Sequence, residues 1–82
     1  MARERYRVLV HLPNEEPILG EVERLPQPQD TIIVVYHPRR RDGRDVHYLE
    51  DDVEAVVFPL SRVTLVEILP SEEEEIIGFV RE

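Results

Sequence analysis

The apolar residues of this chain come in short, dense blocks of β-branched side chains, with turn-forming residues between them. Val8-Leu9-Val10, Ile32-Ile33-Val34-Val35-Tyr36 and residues 63–69 are the densest blocks. Branching at Cβ costs rotamer freedom in a helix but little on a pleated surface, so such blocks favour strands. Residues 5–12 display the period directly, with Tyr6, Val8, Val10 and Leu12 on one side and Arg5, Arg7, Leu9 and His11 on the other. An alternation of two is the mark of a half-buried strand.

The same reading gives six strand-like runs, at residues 5–12, 18–25, 31–36, 44–49, 53–58 and 63–69. Gly20 lies inside the second run, where glycine marks a bulge or a sharp bend. Pro26-Gln27-Pro28-Gln29-Asp30 breaks the chain, because proline lacks the amide donor of a central strand. Residues 31–36 are apolar on both faces and are expected to form the most buried strand. Asp42-Gly43 between two β-like runs is a hairpin signal. The expectation is a mainly β fold, a small five- to six-stranded barrel or roll over residues 1–70. Residues 71–82 form an acidic tail. Ser71 with Glu74 fits a capping box, whereas Gly78 and Phe79-Val80 fit a strand, so the tail is expected to pack as a short helix or an extra strand.

With 82 residues the chain supports one domain and a modest core. Its charged fraction of 34% would favour disorder if the apolar residues were scattered, but the blocks argue for a folded core. No cysteine is present, which excludes disulfides and thiolate ligands. The first residues contain no apolar signal region, and the longest apolar run, residues 32–36, is far short of the roughly 20 residues of a membrane helix. A cytoplasmic protein away from the membrane is the expectation.

Two segments resemble known small barrels. Phe58-Pro59-Leu60-Ser61-Arg62-Val63 is similar to the SH3-like pattern in which an apolar-proline pair enters a single 3₁₀ turn before the last strand. Ile18-Leu19-Gly20-Glu21-Val22 resembles the glycine-bent second strand of Sm-like proteins. The resemblance implies a barrel shape and carries over no site residue. Tryptophan is absent, so an SH3-like aromatic peptide face has no counterpart, and neither the Sm-like uridine signature nor its Arg-Gly step is found.

Arg39, Arg40, Arg41 and Arg44 form a basic cluster in a chain of net charge −8. Guanidinium forks suit phosphate, so these four are the candidate anion or nucleic-acid contact. The competing reading is a solvated hairpin tip whose charges pair with Asp42, Asp45 and the acidic body. The strongly negative chain favours the second, since nucleic-acid domains are usually basic. His37 and His47 meet only in one hairpin register. A two-residue turn would set Arg41 opposite Arg44 and keep the histidines apart. A three-residue loop, Arg41-Asp42-Gly43 with the glycine left-handed, pairs Arg40 with Arg44 and His37 with His47. The second is preferred because it also pairs Tyr36 with Tyr48 and Arg39 with Asp45, while the first sets like charges face to face across the turn.

Two histidines without a third ligand make no zinc site. Glu15-Glu16, Glu50-Asp51-Asp52 and Glu72 to Glu75 lack the alternating ligands and glycine of a calcium loop, and read as solvated charge. Ser61 and Ser71 are the only serines, and neither sits in a nucleophile elbow. No metal, cofactor or catalytic residue is therefore assigned, and the sequence argues against an enzyme. The leading expectation is a small β-barrel interaction or structural module that self-associates or binds a protein partner, with Glu21, Glu23 and Leu25 at the contact. The alternative is RNA, DNA or anion contact through the four arginines. A pocket around His37, His47 and Tyr48 is the third reading.

Overall fold

The computed structural model describes residues 5–70. The tail of residues 71–82 lies outside the described residues. Five antiparallel strands, β1 (Tyr6–His11), β2 (Ile18–Val22), β3 (Ile32–Arg40), β4 (Ala55–Pro59) and β5 (Leu65–Leu69), form one sheet in the order β4-β3-β2-β1-β5. The only helical element among the described residues is a 3₁₀ turn at Leu60–Arg62. It follows Phe58-Pro59, where the apolar-proline pair points to a single turn.

One face of the sheet holds the core. Val8 and Val10 of β1, Ile18 and Val22 of β2, Ile33 and Val35 of β3, and Phe58 of β4 are buried together. Val56 of β4 and Val66 of β5 pack against the same cluster although they stand at opposite ends of the strand order. Among the described residues the sheet has no helix layered over it, and it buries its inner face by curling over itself. It remains open, with β4 and β5 as its two edges. Closure into a barrel is not reached through hydrogen bonding.

The curl is concentrated where β2 meets β3. Ile18 pairs with Arg40 and Leu19 with Arg39, but Glu21 pairs with Tyr36, so His37 and Pro38 both stand against Gly20. This is a β-bulge with the extra residue on β3. It accounts for a proline inside a central strand, since a bulge is one of the few places in a sheet where a missing amide does no harm. His37 has φ 54°, a left-handed conformation that is unusual for a non-glycine residue and more so before proline. Gly20 is required by proximity: a Cβ there would overlap Val35 Cγ1 and lie 2.8 Å from the Tyr36 carbonyl oxygen. The bend expected from Gly20 is therefore present, and the partner strand carries the extra residue.

One of the six expected strands, residues 44–49, is not a strand. The preceding loop is the expected three-residue one, with Arg40 N–H donating to the Arg44 carbonyl (2.8 Å), Gly43 N–H to the Arg40 carbonyl (2.8 Å), and Gly43 left-handed at φ 91°. After Arg44 the chain leaves the ladder. Leu49 N–H bonds the Val46 carbonyl and Val53 N–H bonds the Glu50 carbonyl, closing two successive turns. These drop Val46 into the core and set Leu49 against it. The partner of β3 is instead β4, whose uncharged Ala-Val-Val-Phe-Pro run matches residues 32–36 better than the polar residues 44–49 do. The pairings of His37 with His47 and of Arg39 with Asp45 accordingly do not form.

The Pro26–Asp30 break is a loop fastened by one carboxylate. Asp30 accepts the Gln27 backbone N–H (2.8 Å) and the Arg24 guanidinium (3.2 Å). These contacts, the Gln27 amide first, hold the Asp30 carboxyl below its ordinary value.

The two structured glycines should fail for different reasons. Gly20→Ala is expected to cost about 1–3 kcal/mol through overpacking, and the pair Gly20→Ala with Val35→Ala should lose less than the sum of the single losses. Gly43→Ala has no neighbour within 4 Å and is expected to cost about 1–2 kcal/mol through its left-handed backbone alone. Gly43→Asn should cost less than that. Urea midpoints of the five variants check this.

Candidate interaction surfaces

The four arginines are largely committed within the chain. Arg39 Nη2 donates to Glu21 Oε2 at 2.8 Å and its Nη1 to the His37 carbonyl at 2.7 Å. Arg40 Nη2 lies 3.1 Å from Glu16 Oε1. Arg44 Nε lies 3.7 Å from Asp42 Oδ2, while the Arg44 backbone N–H donates to Asp42 Oδ1 at 3.0 Å. That amide, the first cause, together with Arg40 and Arg44 holds the Asp42 carboxyl below its ordinary value. Of the four, only Arg41 lacks a carboxylate partner among the described residues, and it borders a shallow concavity whose rim also carries Glu15, Glu16 and Asp42. The loop is thus an ion-paired tip and not a free basic patch.

The bulge carries its own network. Glu21 sits between Arg39 and His37, with His37 Nδ1 at 3.2 Å from Glu21 Oε1. Partial burial alone would push the Glu21 carboxyl up, but the bonds from Arg39 and then His37 outweigh it and leave the group below its ordinary value. One carboxylate therefore fastens both ends of the extra segment on β3, which offsets the cost of the left-handed His37. Beside it, the Arg5 guanidinium lies 4.2 Å from the centre of the Tyr36 ring. Across the other half of the same face, His11 Nε2 lies 2.8 Å from Glu67 Oε1, tying β1 to β5. Leu9 is buried on this face between Leu19 and Glu67.

His47 and Tyr48 lie away from His37, with their rings edge to face at 5.2 Å between centres. They border a shallow groove of about 630 Å³ whose apolar walls include Leu12, Pro13, Phe58 and Pro59. Partial burial, and next the charge of Glu15, push the Tyr48 hydroxyl up. The histidine-centred pocket read from the sequence therefore divides, His37 going to the bulge and His47 to the groove. Among the described residues no three His, Asp or Glu side chains converge as a metal-binding group. No helix among them is long and apolar enough to cross a membrane.

The contact expected at Glu21, Glu23 and Leu25 is not a shared surface. Glu21 is engaged in the bulge network, and Leu25 packs against the core. Exposed apolar side chains gather instead at the sheet edges: Val57 of β4 is 56% exposed and Ile32 beside it 50%, while Ile68 of β5 is 52% and Leu65 49%. The sequence signal for the β4 edge is the lack of any charge in residues 55–59, which taken alone suggests burial. In comparisons with known proteins, no family model, curated protein or solved structure matches the chain.

The Glu21 network makes a prediction with a definite sign. Its carboxyl titrates lower in the folded chain than the roughly 4.3 of an unfolded glutamate, so its stabilisation is complete above that value and is lost as pH falls through the folded one. Glu21→Gln should lower stability at pH 7 by roughly 1 kcal/mol, and the gap between the two proteins should narrow as pH falls below the unfolded value and through the folded one. Urea titrations at several pH values measure this; a gap that stays constant down to pH 3 would remove the carboxylate from the account.

Proposed function

We propose that this domain is a small β-barrel interaction module, of SH3-like or Sm-like type, that associates with itself or with a protein partner. The observation that carries this reading is the open sheet with an uncharged edge strand at β4. An edge strand presents unpaired backbone groups to any second strand, and proteins that stay apart usually guard such edges with charge, proline or a covering element. The central residues of β4, Val56-Val57-Phe58, carry no charge, and Val57 and Ile32 lie exposed together there. The barrel reading draws support from the curled sheet, from Gly20 opposite the bulge, and from the 3₁₀ turn after Phe58-Pro59. A small domain without disulfides gains most from burying such an edge in an interface.

The alternative, an anion or nucleic-acid contact through Arg39, Arg40, Arg41 and Arg44, loses weight because three of the four guanidinium groups already face carboxylates in a chain of net charge −8. A polyanion would have to displace those partners to engage more of the cluster than Arg41.

Size-exclusion chromatography with light scattering, at high micromolar protein, is expected to give a mass above that of the monomer; a clean monomer there would remove self-association. Titration with RNA and DNA at low salt is expected to give no binding. Binding that weakens steeply with salt and disappears when the four arginines become alanine would install the alternative instead.

A further inference from the structure

We infer that two copies of this chain join through β4, antiparallel about a two-fold axis at Val57, so that the two five-stranded sheets become one. This rests on the self-association reading above and names its partner and geometry.

The backbone of β4 supplies the first argument. Its ladder with β3 is bracketed by two bonds, His37 N–H to the Glu54 carbonyl and Leu60 N–H to the Thr31 carbonyl, both 2.8 Å. In an antiparallel pair, alternate residues bond the partner. With the register Ile33 to Phe58 and Val35 to Val56, residues 54, 56, 58 and 60 therefore bond towards β3. Ala55, Val57 and Pro59 turn their backbone groups to the free side. Two donors, the Ala55 and Val57 amides, and three carbonyls point outward, because proline has no amide.

A two-fold axis at Val57 uses both donors. The two Val57 residues exchange a pair of bonds, and each Ala55 amide meets the Pro59 carbonyl of the second copy. All four outward amides of the pair are satisfied, and the missing proline donor leaves only the Ala55 carbonyl to water. Centring on Pro59 would waste the axis on a residue that cannot donate. Centring on Ala55 would bring the Asp51, Asp52 and Glu54 groups of both copies together. Pairing about Val56 would keep the bonds but set Glu54 across from Phe58. The register at Val57 avoids all three.

Charge supplies a second, independent argument. An antiparallel pairing lays the start of one β4 beside the end of the other. The start is preceded by Asp51, Asp52 and Glu54, and the end runs into Arg62. Arg62 is exposed and has no carboxylate partner among the described residues. The two-fold therefore matches opposite charges at both ends of the seam, in a chain whose net charge of −8 opposes a random encounter. Along the seam, the exposed Val57 side chains cover one another, flanked by Val34 and Ile32 of β3 on the same face.

β5, the other edge, carries the charge of Glu67 at its centre. Charge is a usual guard of an edge. It is the weaker candidate for a seam.

The native chain lacks cysteine, so single cysteines report proximity without background. Val57→Cys should form a disulfide-linked dimer on mild oxidation, since opposed residues of an antiparallel pair lie within about 5.5 Å at Cα, inside the disulfide range. Leu65→Cys on β5 should remain unlinked. Val57→Arg should raise the dimer dissociation constant at least about tenfold by facing like charges across the axis, with its circular dichroism unchanged, and Leu65→Arg should leave the dimer intact. A native chain that stays monomeric overturns both this seam and self-association. A native dimer that withstands Val57→Arg overturns the β4 seam alone, as does cross-linking of the Leu65→Cys chain without cross-linking of the Val57→Cys chain. Open-ended growth beyond a dimer overturns the two-fold.

Discussion

Among the described residues no helix is laid against the sheet, so the sheet has to bury one of its own faces, and that requirement organises this part of the protein. Val8, Val10 and Val35 reach complete burial only because the edge strands bring Phe58, Val56 and Val66 back over them. Flat strands could not do so. The bend comes from Gly20, which lets Val35 and the Tyr36 carbonyl approach, and from the extra residue at His37-Pro38 across from it. The loop after β3 then closes one side with Val46, whose burial depends on the turns that replace a strand there.

The bend has a cost, and the charged residues nearby are arranged to meet it. A left-handed histidine before proline is held by Glu21, which also takes the Arg39 guanidinium, so the carboxylate acts on the backbone through two side chains from the same strand. The arginines that look like a basic cluster in the sequence are dispersed by folding. Arg39 turns to the sheet face, Arg40 to the β1–β2 loop, and Arg44 to the acid beside it. Surface pairs of this kind contribute little each; what they do remove is a free positive surface.

Much of the architecture is legible in the sequence because alternation and turn chemistry are local signals. β1, β2 and β5 fall within the runs read from period and breakers and β4 overruns its own by Pro59 alone, the loop at Arg41-Asp42-Gly43 has the register that charge pairing favours, and the turn after Pro59 lies where the apolar-proline pair announces it. What departs from that reading comes from competition between segments, which no window of sequence contains. Residues 44–49 follow the loop directly and alternate well enough, yet β4 displaces them because Val56 and Phe58 offer more to the core than the side chains they would replace. Local pairing assigns His37 and Arg39 to a hairpin partner, whereas their real partner, Glu21, is 16 residues away from one and 18 from the other. Pro38 beside an apolar strand is the available clue to that bulge, although a proline there equally suits the end of the strand. Exposure is the least legible property: an uncharged run such as residues 55–59 reads as interior, and only the strand order reveals that it is an edge.

The strand order also fixes when this fold can come into being. β1 is the second strand from the β5 edge, yet its two neighbours are synthesised far apart in time: β2 begins at Ile18, while β5 begins at Leu65 and pairs across to His11. Until residues 65–69 have emerged from the ribosome, β1 lacks one whole side of its hydrogen bonding and Val10 lacks Val66. Joining them closes a loop of most of the domain, and contacts of such long sequence separation are the slow ones in folding. A nascent chain halted at the 3₁₀ turn would therefore hold a four-stranded meander with both β1 and β4 open, the species in which chain-to-chain association has the most to gain.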